Sequence, residues 1–163
     1  MSDNTIIFGI DPGVTGAIAV MDINNTMIYD MPVITTTNKA RKESIVDVRE
    51  VFKIISRNVK TNCRNVIFLE KTQAMKDSAM TAFSMGMSRM AIIAVSSILA
   101  IPFYDVTPQE WKKYFKLNKC DKDASRGVAI KLFPSLHEEL KHKKDHNRAE
   151  ALLIAEYGRI TLK

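Results

Sequence analysis

Two carboxylates stand where short apolar runs stop. Asp11 follows Ile6-Ile-Phe-Gly-Ile10 and leads into Pro12-Gly13, and Glu70 follows Val66-Ile-Phe-Leu69. Runs that are apolar on both faces belong in the middle of a covered sheet. In open α/β sheets, ligands bind beyond the carboxyl ends of the strands. If the two strands are neighbours, their terminal acids meet there, and such charges need a cation partner or open water. A third acidic group lies in Lys144-Asp145-His146-Asn147-Arg148-Ala149-Glu150. Magnesium takes a few carboxylates together with water and phosphate oxygens. Two ions about 3.5–4 Å apart can clamp the attacking and leaving oxygens of a phosphodiester. Acids from three separate elements, ringed by Lys and Arg, suit that hydrolysis. Two structural roles compete with it: Asp11 as the cap of the turn before Pro12-Gly13, and Glu70 as the partner of a lysine.

The charge balance bears on the partner. Lys and Arg number 24 against 18 acids, for a net charge of +6 and a pI near 9.3. One basic cluster is Lys39-Ala-Arg41-Lys42; a denser one is Lys141-His-Lys143-Lys144-Asp-His-Asn-Arg148. Such clusters suit a polyanion, most commonly nucleic acid, or else form a solvated, solubilising face. On the first reading Lys143, Lys144 and Arg148 hold a DNA backbone while the acids beside them hold metal.

These residues need elements to position them. At 163 residues and 46% hydrophobic content, the chain is expected to form one domain, 1–163, with a real core. Composition excludes a disordered or low-complexity chain. No secretory signal is expected at the start, and Met90–Phe103, interrupted by Ser96, Ser97 and Pro102, falls short of the roughly 20 residues of a membrane span. Cys63 and Cys120 read as reduced cytosolic thiols.

Ile6–Ile10, Gly16–Met21 and Thr26–Met31 predict three successive strands, the last two joined by a turn at Asp22-Ile-Asn-Asn25. Thr35–Arg41 reads as an exposed loop. The spacing of Ile45, Val48, Val51, Phe52, Ile55 and Val59 predicts an amphipathic helix from Ser44 to about Lys60. Val66–Leu69 and Phe103–Val106 are further strands. Between them, Asp77–Ala100 reads as a helix apolar nearly all round, hence buried, in part by another chain. Thr107-Pro108 caps a helix over Gln109–Phe115, and Asp123–Phe133 and Arg148–Arg159 are two more. The order is that of a mixed α/β domain around a central sheet.

The same pieces carry a family resemblance. Gly9-Ile-Asp11-Pro-Gly-Val-Thr-Gly16 resembles the first-strand motif of RuvC-type Holliday junction resolvases, within the ribonuclease H-like superfamily. Phe68-Leu-Glu70-Lys is similar to that family's fourth-strand acid. Phe103-Tyr-Asp-Val-Thr107-Pro-Gln-Glu-Trp111-Lys112-Lys113 resembles the segment carrying a basic residue near the scissile phosphate. Lys143 to Arg159 resembles the C-terminal acidic helix in the form seen in phage-encoded members. The likeness spans nearly the whole chain in the expected order. Actin-like ATPases open with a similar strand but need a duplicated, far longer chain.

One departure stands in the last helix. Many family members offer two acids, or His and Asp, three residues apart; here Asn147 stands three before Glu150. His146 lies four before Glu150, on the same helical face, and Asp145 five before it. We take Asp145 and Glu150 as ligands, with His146 as the substitute; Asp145 can serve only if the helix starts after it. By position in the family pattern Lys112 and Lys122 read as phosphate contacts. Trp111 reads as a core anchor in preference to a base-stacking platform. Met75, Met80, Met85, Met87 and Met90 read as core filler, or in part as a subunit interface.

The resemblance implies a ribonuclease H-like α/β fold, a mixed five-stranded sheet in the order 3-2-1-4-5 with helices on both faces. It implies a Mg2+-dependent endonuclease, with two ions per active site and Mn2+ as a possible substitute, that cuts four-way DNA junctions. Broader branched-DNA or flap cleavage, and junction binding without cleavage, are the alternatives. Symmetric cutting needs two sites related by a two-fold, so a homodimer is expected, with branched DNA as its partner and no membrane. The expected location is the cytoplasm, that of the host if the chain is phage-encoded.

Overall fold

A computed structural model describes residues 4–38, 41–71 and 79–162. Lys39, Met75 and Asp77 lie outside the described residues, as do the side chains of Arg41, Lys42 and Lys122. The strands are β1 (Thr5–Asp11), β2 (Ala17–Met21), β3 (Thr26–Asp30), β4 (Val33–Asn38), β5 (Arg41–Val46), β6 (Arg64–Glu70) and β7 (Phe103–Val106). The helices are α1 (Val48–Asn58), α2 (Ala79–Ile98), α3 (Pro108–Tyr114), α4 (Lys122–Leu132) and α5 (His146–Thr161), with 3-10 turns at Pro134–Leu140 and Lys143–Asp145.

Five strands form one sheet in the order β3-β2-β1-β6-β7. The meander β1-β2-β3 is antiparallel, and β6 and β7 add to it in parallel. Asp22 Oδ1 accepts from the amides of Asn24 and Asn25 at 2.8 and 2.7 Å and so closes the β2–β3 turn. This is the mixed five-stranded, ribonuclease H-like α/β sheet that the resemblance implies.

Side chains alternate along a strand, so each apolar run feeds two cores. Ile7, Val66 and Phe68 face α3, α4 and α5, whereas Ile6, Phe8, Ile10, Ile67 and Leu69 face α1 and α2. Gly9 allows the closest contact on the first side. A Cβ there would lie 2.3 Å from Ala155 N and 2.4 Å from Ala151 O, so only glycine lets the α5 backbone rest on β1.

Three expectations change. Within Thr35–Arg41, expected as a loop, the described residues Thr35–Asn38 and Arg41 lie in the paired strands β4 and β5, in register from Val33↔Val46 to Asn38↔Arg41. Thr35, Thr36 and Thr37 of β4 and Glu43 of β5 are exposed, so this stretch of the ribbon has no apolar alternation to announce it. The first helix therefore begins later, at Val48, where Asp47 accepts from the amides of Arg49 and Glu50. Third, α2 is not buried all round. Ile92, Val95, Ser88 and Ser96 are buried, but Phe83 (66%), Met90 (58%) and Ile98 (69%) are exposed. At 20 residues α2 is long and apolar enough by composition to cross a membrane, yet one side of it packs on the sheet.

Candidate metal-dependent active site

The register Ile10↔Leu69 sets the ends of β1 and β6 side by side. Counting by two from Ile7 reaches Asp11, and from Val66 reaches Glu70, so both acids project toward the α5 side. The seat of α5 on Gly9 supplies the third acid. Glu150, next to Ala151, and His146 and Asn147, one turn nearer the helix start, are thereby brought to the level of Asp11. Asn147 Nδ2 donates to the Thr15 carbonyl and pins the start of α5 to the β1–β2 turn. That turn is tight at Gly16, where a Cβ would lie 2.1 Å from the Asp11 carbonyl oxygen.

The three carboxylates share one electrostatic environment. Burial, reinforced by the charge of Glu150, pushes the Asp11 carboxyl up to about 6, against smaller opposing effects of the Gly13 amide, His146 and Lys112. Burial and the charge of Asp11 push Glu70 up to about 7, opposed by a hydrogen bond from Trp111. Two neighbouring acids raised this far are poorly compensated by the protein alone. Lys112 offsets part of the charge, with Nζ 3.4 Å from Glu150 Oε1 and 4.9 Å from the centroid of the Trp111 ring.

Asp145 does not join this group. α5 does begin after it, yet its Oδ2 accepts the His142 amide at 2.9 Å and the residue is 5% exposed. The carboxylate turns back over the 3-10 turn because a buried acid at a helix start takes the nearest free N–H. His146, the first residue of α5, acts on Asp11 alongside Glu150 and Lys112; its Nδ1 lies 3.1 Å from the Lys143 carbonyl.

Arg148 is also placed differently from the sequence expectation. Its guanidinium makes a bidentate pair with Asp30, at 2.6 Å for both contacts, and donates to the Glu139 carbonyl. A fork engaged in this way fastens α5 to β3. Lys143 and Lys144 are exposed, Lys143 lying 3.8 Å from Asp123. The Lys122 side chain lies outside the described residues.

Sequence reasoning passed over two contacts to Glu70. Trp111 is fully buried, as expected of a core anchor, but its Nε1 donates to Glu70 Oε1 at 2.9 Å. Arg89, from α2, donates to the Glu70 carbonyl at 3.1 Å and pairs with Asp105. The one available signal was indirect: a buried indole N–H must find an acceptor.

Among the described residues no three His, Cys, Asp or Glu side chains close into a ready-made metal cage. The donor set nevertheless suits a hard divalent cation. Magnesium binds through one or two carboxylates and completes its shell with water and phosphate, and the burial and mutual repulsion that raise Asp11 and Glu70 are what such a cation offsets.

No protein-family model matches the chain, and no curated protein sequence matches it. Solved structures do. Thermus thermophilus RuvC in complex with a Holliday junction substrate aligns with a TM-score of 0.57 at 14% identity, over 96% of this chain and 96% of that one. A second Thermus thermophilus RuvC structure aligns with a TM-score of 0.59 at 14% identity, over the same shares. With the strand order and helical layers already described, that end-to-end match establishes that this chain has the ribonuclease H-like fold in its RuvC form.

Proposed function

We propose that this chain is a divalent-metal-dependent endonuclease of branched DNA, with the four-way junction as its first substrate to test. The observation that carries this reading is the convergence of Asp11, Glu70 and Glu150 at the ends of two central strands, with Lys112 and His146 beside them. Asp11, Glu70 and Glu150 would hold Mg2+, or Mn2+ in its place, with His146 as the nitrogen donor at hand. When bound, such ions lower the pKa of water and stabilise the charge developing on a phosphodiester. Lys112, between Glu150 and the surface, contributes a positive charge for the phosphate. Lys143 and Lys144, exposed beside α5, extend the cationic track to the flanking backbone. Lys122 stays in this set on its sequence position alone.

A second copy completes the proposal. The exposed Met80, Phe83, Met87 and Met90 of α2, with Ile45 and Val48 opposite, line one apolar groove. An apolar stripe of this kind suits a subunit interface, and two-fold pairing would present two sites to a symmetric junction. The free thiols Cys63 and Cys120 accord with work on DNA in the cytoplasm.

A second reading is junction binding without cleavage. It is favoured by the absence of a closed ligand cage among the described residues and by Asn147 standing where an acid was expected. One assay separates the readings. Synthetic four-way junctions, Y-forks and flaps are incubated with Mg2+ or with EDTA, for the wild type, Asp11→Asn and Glu70→Gln. Mg2+-dependent cutting of branched substrates that both variants lose, with binding in EDTA retained, supports the nuclease. Junction binding with no cutting under any metal would establish the binding module.

A further inference from the structure

Glu70 is held at two points, its carboxylate by Trp111 and its main-chain carbonyl by Arg89, and neither residue carries a donor atom that could ligate a cation. The chain contains one tryptophan. It sits fully buried in α3 and aims its only polar atom at Glu70 Oε1, 2.9 Å away. The short helix carrying it is fixed in place: Thr107 and Glu110 form a reciprocal capping box, and Pro108 opens the first turn. On the main-chain side, Arg89 takes the Glu70 carbonyl and, through Asp105, ties the ends of β6 and β7 together. Among the described residues the second carboxylate oxygen, Oε2, has no hydrogen-bond partner.

An indole N–H can only donate. Placed on one oxygen of a carboxylate, it stops rotation about the last side-chain bond, and it leaves the other oxygen in a set direction. Packing alone would not require this. Leucine or phenylalanine could fill the space between α3 and the sheet without needing an acceptor. The adjacent Lys112 extends the pattern, since its ammonium lies 4.9 Å from the indole ring centroid and 3.4 Å from Glu150. Consecutive residues of one helix thus address two of the three acids, one through a neutral donor and one through a charge.

We infer that Trp111 is a positioning residue for the divalent-cation site: its indole N–H holds Glu70 in the rotamer that presents Oε2 to the ion. This rests on the metal-dependent reading above and adds a defined role to a side chain outside the ligand set. Partners of this kind, one step removed from the ion, are worth about 10–100-fold in affinity.

The test uses the metal alone. Wild type and Trp111→Phe are titrated calorimetrically with Mn2+ and Mg2+ without DNA, and the single tryptophan of the wild type is followed by its emission. The wild type should show a saturable emission change with the same midpoint as the heat, because the acceptor of the indole N–H changes its charge environment as the ion binds. Trp111→Phe should bind at least about tenfold more weakly, with junction binding in EDTA unchanged. If Trp111→Phe does not fold, the analogue with benzothiophene in place of indole at position 111 removes the N–H at constant volume and carries the same expectation. A folded variant with wild-type metal affinity would overturn the positioning role and leave the nuclease reading standing. No heat and no emission change in the wild type would overturn both.

Discussion

Replacing Asp11 by Asn should stabilise the metal-free protein even as it destroys cleavage. The Asp11 carboxyl ordinarily titrates at 3.8 and is pushed up to about 6, chiefly by burial and then by Glu150. Between those two values the folded chain keeps a proton that the unfolded chain has lost. Stability therefore falls as pH rises through the window, and it levels off above about 6. Ionising this group in the folded state costs about 3 kcal/mol once the pH is well above 6, and under about 1 kcal/mol near pH 4. Asn carries no charge at either pH, and its loss of repulsion also relieves Glu70. Some of the gain is lost because the neutral amide must be accommodated, so about 2 kcal/mol is expected at pH 8, or a rise in Tm of roughly 4–8 °C for a domain of this size. The measurement is thermal unfolding of both proteins in EDTA at pH 4, 6 and 8. A gain that grows with pH, and that Mg2+ narrows by stabilising only the wild type, is the expected pattern. Equal Tm values at pH 8, or a gain of the same size at pH 4, would show that Asp11 is not a buried acid facing Glu150 and Glu70.

Four further outcomes follow from the same contacts. His146→Ala should lower Mg2+- and Mn2+-dependent cleavage by at least about tenfold, whereas Asp145→Asn, which keeps an oxygen for the His142 amide, should stay active; the opposite ranking in a cleavage assay would return Asp145 to the ligand set. Neutralising Lys143 and Lys144 together should flatten the plot of log affinity against log salt by about one to two units, and an unchanged slope in fluorescence anisotropy would make them solvated surface charges. Phe83→Glu combined with Met90→Glu should convert a dimer to monomers in sedimentation velocity, since both side chains are exposed on α2; an unaltered sedimentation coefficient would place the subunit contact elsewhere. Gly9→Ala forces a Cβ to within 2.4 Å of two α5 backbone atoms and should cost about 3 kcal/mol or more, read as a Tm loss with the whole active site disturbed.

What could be read along the chain was whatever depends on near neighbours. The runs Ile6–Ile10 and Val66–Leu69 declare central strands because both of their faces are apolar, and strand periodicity then puts Asp11 and Glu70 at adjacent ends on one side. The Asp22 turn and the Thr107-Pro108 helix start are equally local, each closed by hydrogen bonds within three residues. The β4–β5 pair escaped because Thr35, Thr36, Thr37 and Glu43 are exposed and leave no alternation of buried and exposed residues to read. At the start of α5 the deciding contacts come from far away in the chain. Arg148 is drawn to Asp30, 118 residues earlier, and Asn147 to Thr15, 132 residues earlier. Together they set the rotation of the helix, and that rotation turns His146 and Glu150 toward Asp11 while Asp145 folds back onto His142. The meeting of Trp111 with Glu70 spans 41 residues and likewise exists only once α3 is packed against the sheet. Residue types and spacing therefore determined which acids could do the chemistry, because strand ends and charge are local properties. Only tertiary packing decided which side chains complete the site, because a helix's rotation about its axis is set by the surfaces it lies against.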